Sequence, residues 1–321
     1  MNIIWICFLM SNFILQFMNC QEETLLIKQI HSYIEPLSPL FSPLKINEIS
    51  TNGTTLLIHS SQQGYFMAVS LLLSIKDKLN TAFLVDKDIQ DKSNGSTALI
   101  SSIKGSHVNV SLLLITAGAN LNIHDYNGGS ALIHASKKGL LSVVNELLKR
   151  KVLLTGTDDE GKNSLIYAVM NRDVPMVDTL LKGDINPHIK DEITGKSALH
   201  YSCEYGNISM IKSLLNHSIN TIDKFDKNGN TALIYAIKHG NPEIISILIK
   251  DGFASVNVCN KKTGESPLTI AIYLNLINII KLLILAGVNI NQTGVKTGGV
   301  YPIGSRVTPL CLAVINNNFE V

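Results

Sequence analysis

Cysteine is scarce and scattered in this chain, which removes two common ways of holding a small domain together. The five cysteines, Cys7, Cys20, Cys203, Cys259 and Cys311, are odd in number and include no Cys-x-x-Cys pair. Neither a disulfide framework nor a zinc knot is expected. Cys203 and Cys311 fall in helical segments, where they are expected to pack as small apolar residues. Arginine is almost absent, at Arg150, Arg172 and Arg306 only, and the formal net charge is +2 over 321 residues. So balanced a composition writes in neither a nucleic-acid groove nor an acidic tail. Catalytic patterns are lacking as well. Gly195-Lys196-Ser197 ends like a phosphate-binding loop, but Lys190 stands where that loop needs a glycine, so the segment reads as a turn entering a helix. No carboxylate or cysteine recurs beside the histidines at a ligand spacing, so no metal, cofactor or enzymatic activity is expected.

Long hydrophobic runs are confined to the beginning. Residues 3–18 are nearly all apolar, and polarity returns at Gln21-Glu22-Glu23. The run is short for a membrane span and has the length of a secretory core segment, with no Lys or Arg before it. It allows a cleaved or anchoring signal, a lipidated Cys20, a buried helix, or a start codon set too early. Membrane association is expected only through residues 1–20, and export or anchoring depends on them; without them the chain is expected in the cytoplasm. Residues 21–48 read as an amphipathic helix, Glu23 to Ile34, followed by a connector punctuated by Pro36, Pro39 and Pro43. Sequons at Asn52, Asn94, Asn109, Asn207, Asn216 and Asn291 carry glycans only if the chain enters a eukaryotic secretory path.

From residue 49 onward the chain repeats itself. A turn glycine, then Thr or Ser, a small residue, Leu, and an Ala or Ser three positions later recur in order, as in Gly229-Asn230-Thr231-Ala232-Leu233-Ile234-Tyr235-Ala236. The turn glycines at Gly95, Gly128, Gly161, Gly195, Gly229 and Gly264 are 33, 33, 34, 34 and 35 residues apart. Within a period, Asp226 to Asn230 is a turn, Thr231 caps a first helix, and Gly240-Asn241-Pro242-Glu243 ends that helix and starts another. The second helix carries an aliphatic stripe, Ile244, Ile245, Leu248 and Ile249, with counterparts such as Val143, Val144, Leu147 and Leu148. So short a helix pair cannot bury its apolar faces alone, and the units must stack.

These residues resemble the ankyrin repeat. Thr308-Pro309-Leu310, Ser266-Pro267-Leu268, Ser197-Ala198-Leu199-His200 and Ala117-Gly118-Ala119-Asn120-Leu121-Asn122 stand at the matching places. The resemblance covers residues 49–321 and implies an all-α solenoid of about eight stacked helix-turn-helix units with projecting β-turn fingers, the last unit incomplete. Departures from the pattern carry expectations of their own. The family's histidine survives only at His200, and the cassette Thr is replaced at Asn163-Ser164, where looser coupling is expected. Steps of 42 residues, from Gly53 to Gly95 and from Gly264 to Arg306, imply extended connections between units. His59, His134, Tyr167, Tyr201 and Tyr235 share one slot of the first helix and read as a partly buried stripe with polar tips. Apolar Leu310, Leu312 and Val314 in the last unit imply that the array continues in a longer protein.

The resemblance also implies a surface that binds rather than a pocket that reacts. The exposed ends of the first helices, with the turns, are where specificity can reside without cost to the fold. On this chain those positions are Lys104, Lys137, Lys138, Asn171, Glu204, Tyr205, Lys238, His239 and Tyr273, with Tyr126, Lys196, Lys227 and Asn228 in the turns. Lysine predominates, so a protein partner with an acidic or mixed patch is expected, and no nucleic acid. The function expected is a non-catalytic protein-protein interaction scaffold. The alternatives are the recognition array of a larger enzyme, channel or adaptor, or an exported or lipid-anchored protein of the same kind.

Overall fold

The computed structural model describes residues 47, 49–50, 53–74, 85–218, 222–292, 294–295 and 306–315. The hydrophobic start, the helix and proline connector of residues 21–46, the extra residues of the first long step and the Gly298-Gly299 part of the second lie outside the described residues. The chain forms two compact units, residues 1–125 and 126–321, so the expected array is divided at that point.

In the first unit, α1 (Leu56–Gln63) pairs with α2 (Phe66–Ser74), and α3 (Ala98–Lys104) with α4 (Val108–Thr116). In the second unit the pairs are α5 (Ala131–Lys137) with α6 (Leu141–Lys149), α7 (Ser164–Met170) with α8 (Val174–Lys182), and α9 (Ala198–Glu204) with α10 (Ile208–Ser218). They continue with α11 (Ala232–His239) and α12 (Pro242–Lys250), then α13 (Pro267–Tyr273) and α14 (Ile277–Leu285). A strand pair, β1 (Gly294–Val295) against β2 (Arg306–Val307), and α15 (Pro309–Ile315) close the described residues. Within each unit, first helices stack on first helices and second on second.

Each first helix begins where the cassette places its cap. The side-chain oxygens of Thr55, Thr97, Ser130, Thr231 and Ser266 accept from the backbone N–H three residues on, at 3.3, 3.3, 3.3, 3.4 and 3.1 Å. That satisfies one of the donors a helix N-terminus leaves open. Asn163 does the same from Oδ1 to the Ile166 N–H at 3.0 Å, while its Nδ2 donates to the Asn186 carbonyl at 3.2 Å. The expected loose joint is therefore absent, because Asn supplies both the cap of its own helix and a bond to the following loop. The aliphatic stripes face inward: Val143, Val144, Leu147, Met176, Val177, Leu180, Ile244, Ile245 and Leu248 are all fully buried. Each such side chain is worth about 1.5–3 kcal/mol of burial, which a single pair could not collect alone. Cys203 is buried as expected, and burial pushes its thiol far above the usual range. Cys311 is exposed, on the side of α15 away from its packing face, with Leu310 and Val314 exposed on the same helix and Leu312 buried.

The projecting β-turn fingers are not found. Among the described residues the segments between helix pairs hold no strand; the one strand pair is β1 with β2, beside a single bridge from Lys190 to Ser197. The turns are tied sideways instead. In the second unit the N–H groups of Asp159, Glu192, Lys227 and Lys261 donate to the carbonyls of Asn127, Glu160, Thr194 and Gly229, each in the preceding turn, at 3.0, 2.7, 2.8 and 2.8 Å. Gly195 shows why the cassette needs its glycine. Its φ is +72°, and a Cβ there would stand 2.8 Å from the Lys227 nitrogen, so both backbone conformation and the neighbouring turn exclude a side chain.

Candidate partner-binding face

A buried aspartate organises each turn. In the second unit, Oδ1 of Asp226 accepts from the N–H groups of Asn228 and Asn230 at 2.9 and 2.7 Å, which closes the turn. Its other oxygen accepts from the Tyr235 hydroxyl of the following helix at 2.6 Å. Tyr201 donates to Asp191 at 2.9 Å and Tyr167 to Asp158 at 2.5 Å in the same way. The shared slot of the first helix is thus a buried aromatic stripe with satisfied polar tips, as its periodicity implied, and no metal-ligand ladder. Burial, then the hydrogen bond to and charge of Asp191, push the Tyr201 phenol up to about 12 against a smaller opposing contact with Thr194. Tyr167 and Tyr235 move in the same direction, from burial first and their carboxylates second. Burial alone would raise the Asp191 carboxyl, but hydrogen bonds from Thr194 and Tyr201 and the charge of Lys162 outweigh it and hold it below the usual range.

His200 occupies a second buried polar position. Its Nδ1 accepts from the Ser197 N–H at 3.2 Å and lies 2.8 Å from the Ser197 hydroxyl, while Nε2 sits 3.0 Å from the Lys224 carbonyl of the next loop. A neutral ring donating from Nε2 satisfies all three contacts. Burial lowers its pKa below the ordinary value, more than the carbonyl of Lys224 and the charge of Asp226 raise it.

The residues expected to bind a partner divide under this geometry. Lys137, Lys138, Asn171, Lys238, His239 and Tyr273, at the ends of α5, α7, α11 and α13, are exposed, as is Tyr126 in its turn. Glu204 and Tyr205, at the end of α9, are half-buried. Lys196 is only 9 % exposed, because its ammonium is held by both oxygens of Glu204 at 2.9 and 2.8 Å and lies over the rings of Tyr201 and Tyr235. That pair neutralises itself and adds stability rather than charge to the surface. In the first unit, Lys104 is likewise engaged, with Asp125 at 2.6 Å and Ser96 at 2.8 Å.

Consecutive helix ends of the second unit touch. Asn171 donates to the carbonyls of Ser136 and Lys137 at 3.1 and 3.0 Å, and His239 lies over Gly206 so closely that a Cβ there would meet its Nε2 at 2.1 Å. Arg172, with φ +57°, places its guanidinium 5.0 Å from the centre of the Tyr205 ring. The sequence reading passed over Arg172, although it stands where Gly139, Gly206 and Gly240 stand in neighbouring repeats, and a left-handed position filled by Arg was the available signal.

Helix pairs of this length, capped turn and stripe match the family described as ankyrin repeats (3 copies), in overlapping segments 17–125, 77–158, 113–191, 165–258 and 199–294. The chain belongs to the ankyrin-repeat family. Among curated proteins its repeats are similar to the B-cell lymphoma 3 protein homolog of Mus musculus, 37% identical over 78 residues, 24% of this chain and 16% of that protein. They are also similar to M-phase phosphoprotein 8 of Rattus norvegicus, 28% identical over 127 residues, 40% of this chain and 14% of that protein. The matched parts thus span about one sixth of those relatives or less. Among solved structures, the repeats resemble a chain of the Bd0816 predatory endopeptidase from Bdellovibrio bacteriovorus in complex with immunity protein Bd3460. That match has a TM-score of 0.52 and 29% identity, covering 59% of this chain and 98% of that one. Among the described residues, no group of three or more His, Cys, Asp or Glu could hold a metal, and no helix is long and apolar enough to cross a membrane.

Proposed function

We infer that this ankyrin-repeat chain is a non-catalytic scaffold that binds another protein on the helix-end face of its second unit, through an acidic or mixed patch on that partner. The observation that carries this reading is the separation of roles among polar residues. The aspartates, tyrosines, His200 and the Lys196–Glu204 pair are consumed inside the stack, whereas Lys137, Lys138, Arg172, Lys238 and His239 end the first helices in contact with solvent. Such a face can change its residues without changing the fold, and its excess of cations favours a partner of opposite charge. Any membrane association in this reading rests on residues 1–20.

The test is reversal of Lys137, Lys138 and Lys238 to Glu in the full chain used as bait. Partner capture is expected to disappear while the thermal midpoint stays within about a degree of wild type, since exposed substitutions away from structural contacts change stability by about 0.5 kcal/mol or less. Undiminished capture would refute this choice of face.

A further inference from the structure

The sideways-bonded turns of the second unit form one edge, and the exposed residues along it are ordered by charge. Asp159 and Glu160 stand in one turn and Glu192 in the next, whereas Lys227 follows and Lys261 with Lys262 comes after that. Between the acidic and basic halves sits Ile193, 63 % exposed on a turn, where a large aliphatic side chain gains nothing for the fold. At the acidic end Tyr126 is 61 % exposed.

We propose that this edge binds a second copy of the chain, antiparallel, about a two-fold axis near Ile193. Under that symmetry each acidic half lies against the other copy's basic half, Ile193 meets its own equivalent at the centre, and Tyr126 meets the lysines of the far turn. A like-for-like contact must be complementary to itself. This edge meets that demand at its three levels: apolar in the middle, opposite in charge to either side, and a ring facing ammonium groups at the rim. A parallel arrangement would set like charges against each other. Contacts already within the copy leave the pattern intact, since Glu160 pairs with Lys162 and Lys227 reaches the Glu192 carbonyl without loss of either half's net sign. Exposed ion pairs are weak individually and screened by salt, so the dimer is concentration-dependent and salt-sensitive. It uses a different surface from the helix-end face and does not depend on it.

Sedimentation equilibrium of the full chain at low and high salt tests the proposal. A dimer at low salt that dissociates at high salt is expected, with Ile193→Asp raising the dissociation constant at least about tenfold. Two charge variants then test the orientation. K227E makes both halves acidic and D159K/E160K makes both basic, so each alone is expected to be monomeric, while an equimolar mixture is expected to regain the dimer. A monomeric wild type at low salt, or a mixture that stays monomeric although both variants fold with wild-type circular dichroism, would overturn it.

Discussion

The Asp226 turn and the Asn260 turn, one repeat apart, solve the same problem in opposite ways. Asp226 closes its turn with one carboxylate oxygen and gives the other to the Tyr235 hydroxyl at 2.6 Å. Asn260 closes its turn from Oδ1 to the N–H groups of Lys262 and Thr263, both at 2.8 Å, but its following helix carries Ile270 where the tyrosine would be. There the amide donates instead, from Nδ2 to the Asn228 carbonyl at 3.1 Å and to Asn230 Oδ1 at 2.8 Å. A buried oxygen without a donor is costly, so a turn with a tyrosine can keep its carboxylate and a turn without one is better served by an amide that brings its own donors. In the first unit a third solution appears, with Lys104 donating to the buried Asp125 carboxylate.

Four perturbations break or sharpen this contrast. The largest effect is expected from Gly195→Ala, which imposes a side chain at positive φ and against the Lys227 backbone. A loss of about 3 kcal/mol, read by urea unfolding, is expected. Next is Tyr235→Phe, which strands an Asp226 oxygen and should cost about 2 kcal/mol. The double variant Y235F/D226N should recover part of that loss, because the amide needs no hydroxyl; a strictly additive double mutant would contradict the account. Asn260→Asp makes the reciprocal error, placing a carboxylate beside Asn230 Oδ1 with no tyrosine to donate, and about 1–2 kcal/mol of destabilisation is expected. A Glu204→Gln control, which weakens the hold on Lys196 at a partly exposed position, should cost about 1–2 kcal/mol without altering either turn.

The smallest effects lie in the pH dependence, and their signs differ. The Tyr201 phenol is raised, so its contribution is complete below the ordinary value of about 10 and is lost as pH rises toward about 12. Tyr201→Phe should remove that alkaline slope. His200 is lowered, so its contribution is present above the ordinary value of about 6.5 and is lost as pH falls through the depressed one. Thermal midpoints measured between pH 8 and pH 5 should therefore fall in wild type by more than in His200→Asn, about which the stack keeps a neutral polar group at every pH.

The repeat, its caps and its inward stripes were legible in the sequence because each follows from local chemistry at a fixed period: a Thr or Ser before an apolar run, a Gly where φ is positive. Contacts between repeats were not. Spacing locates Asp226 in a turn but does not say that its second oxygen meets Tyr235, nor that successive turns bond sideways and so fail to project. Lys196 looked like a surface cation for the same reason, since nothing local announces that Glu204 and two tyrosines enclose it. Asn163 was read as a missing Thr, whereas its longer amide reaches both the helix N-terminus and the next loop. Of the candidate binding residues, those beyond the last inward turn of each first helix stayed exposed, and those beside the turn glycine did not.

The separation between an interior that consumes its polar groups and a helix-end face that does not is most directly tested by hydrogen exchange on the complex with a captured partner. The account predicts new protection at the backbone around residues 137–139, 171–173, 205–207 and 238–240, with the outer second helices α6, α8, α10 and α12 exchanging as in the free chain. Protection confined to those second helices, with the helix ends unchanged, would contradict it.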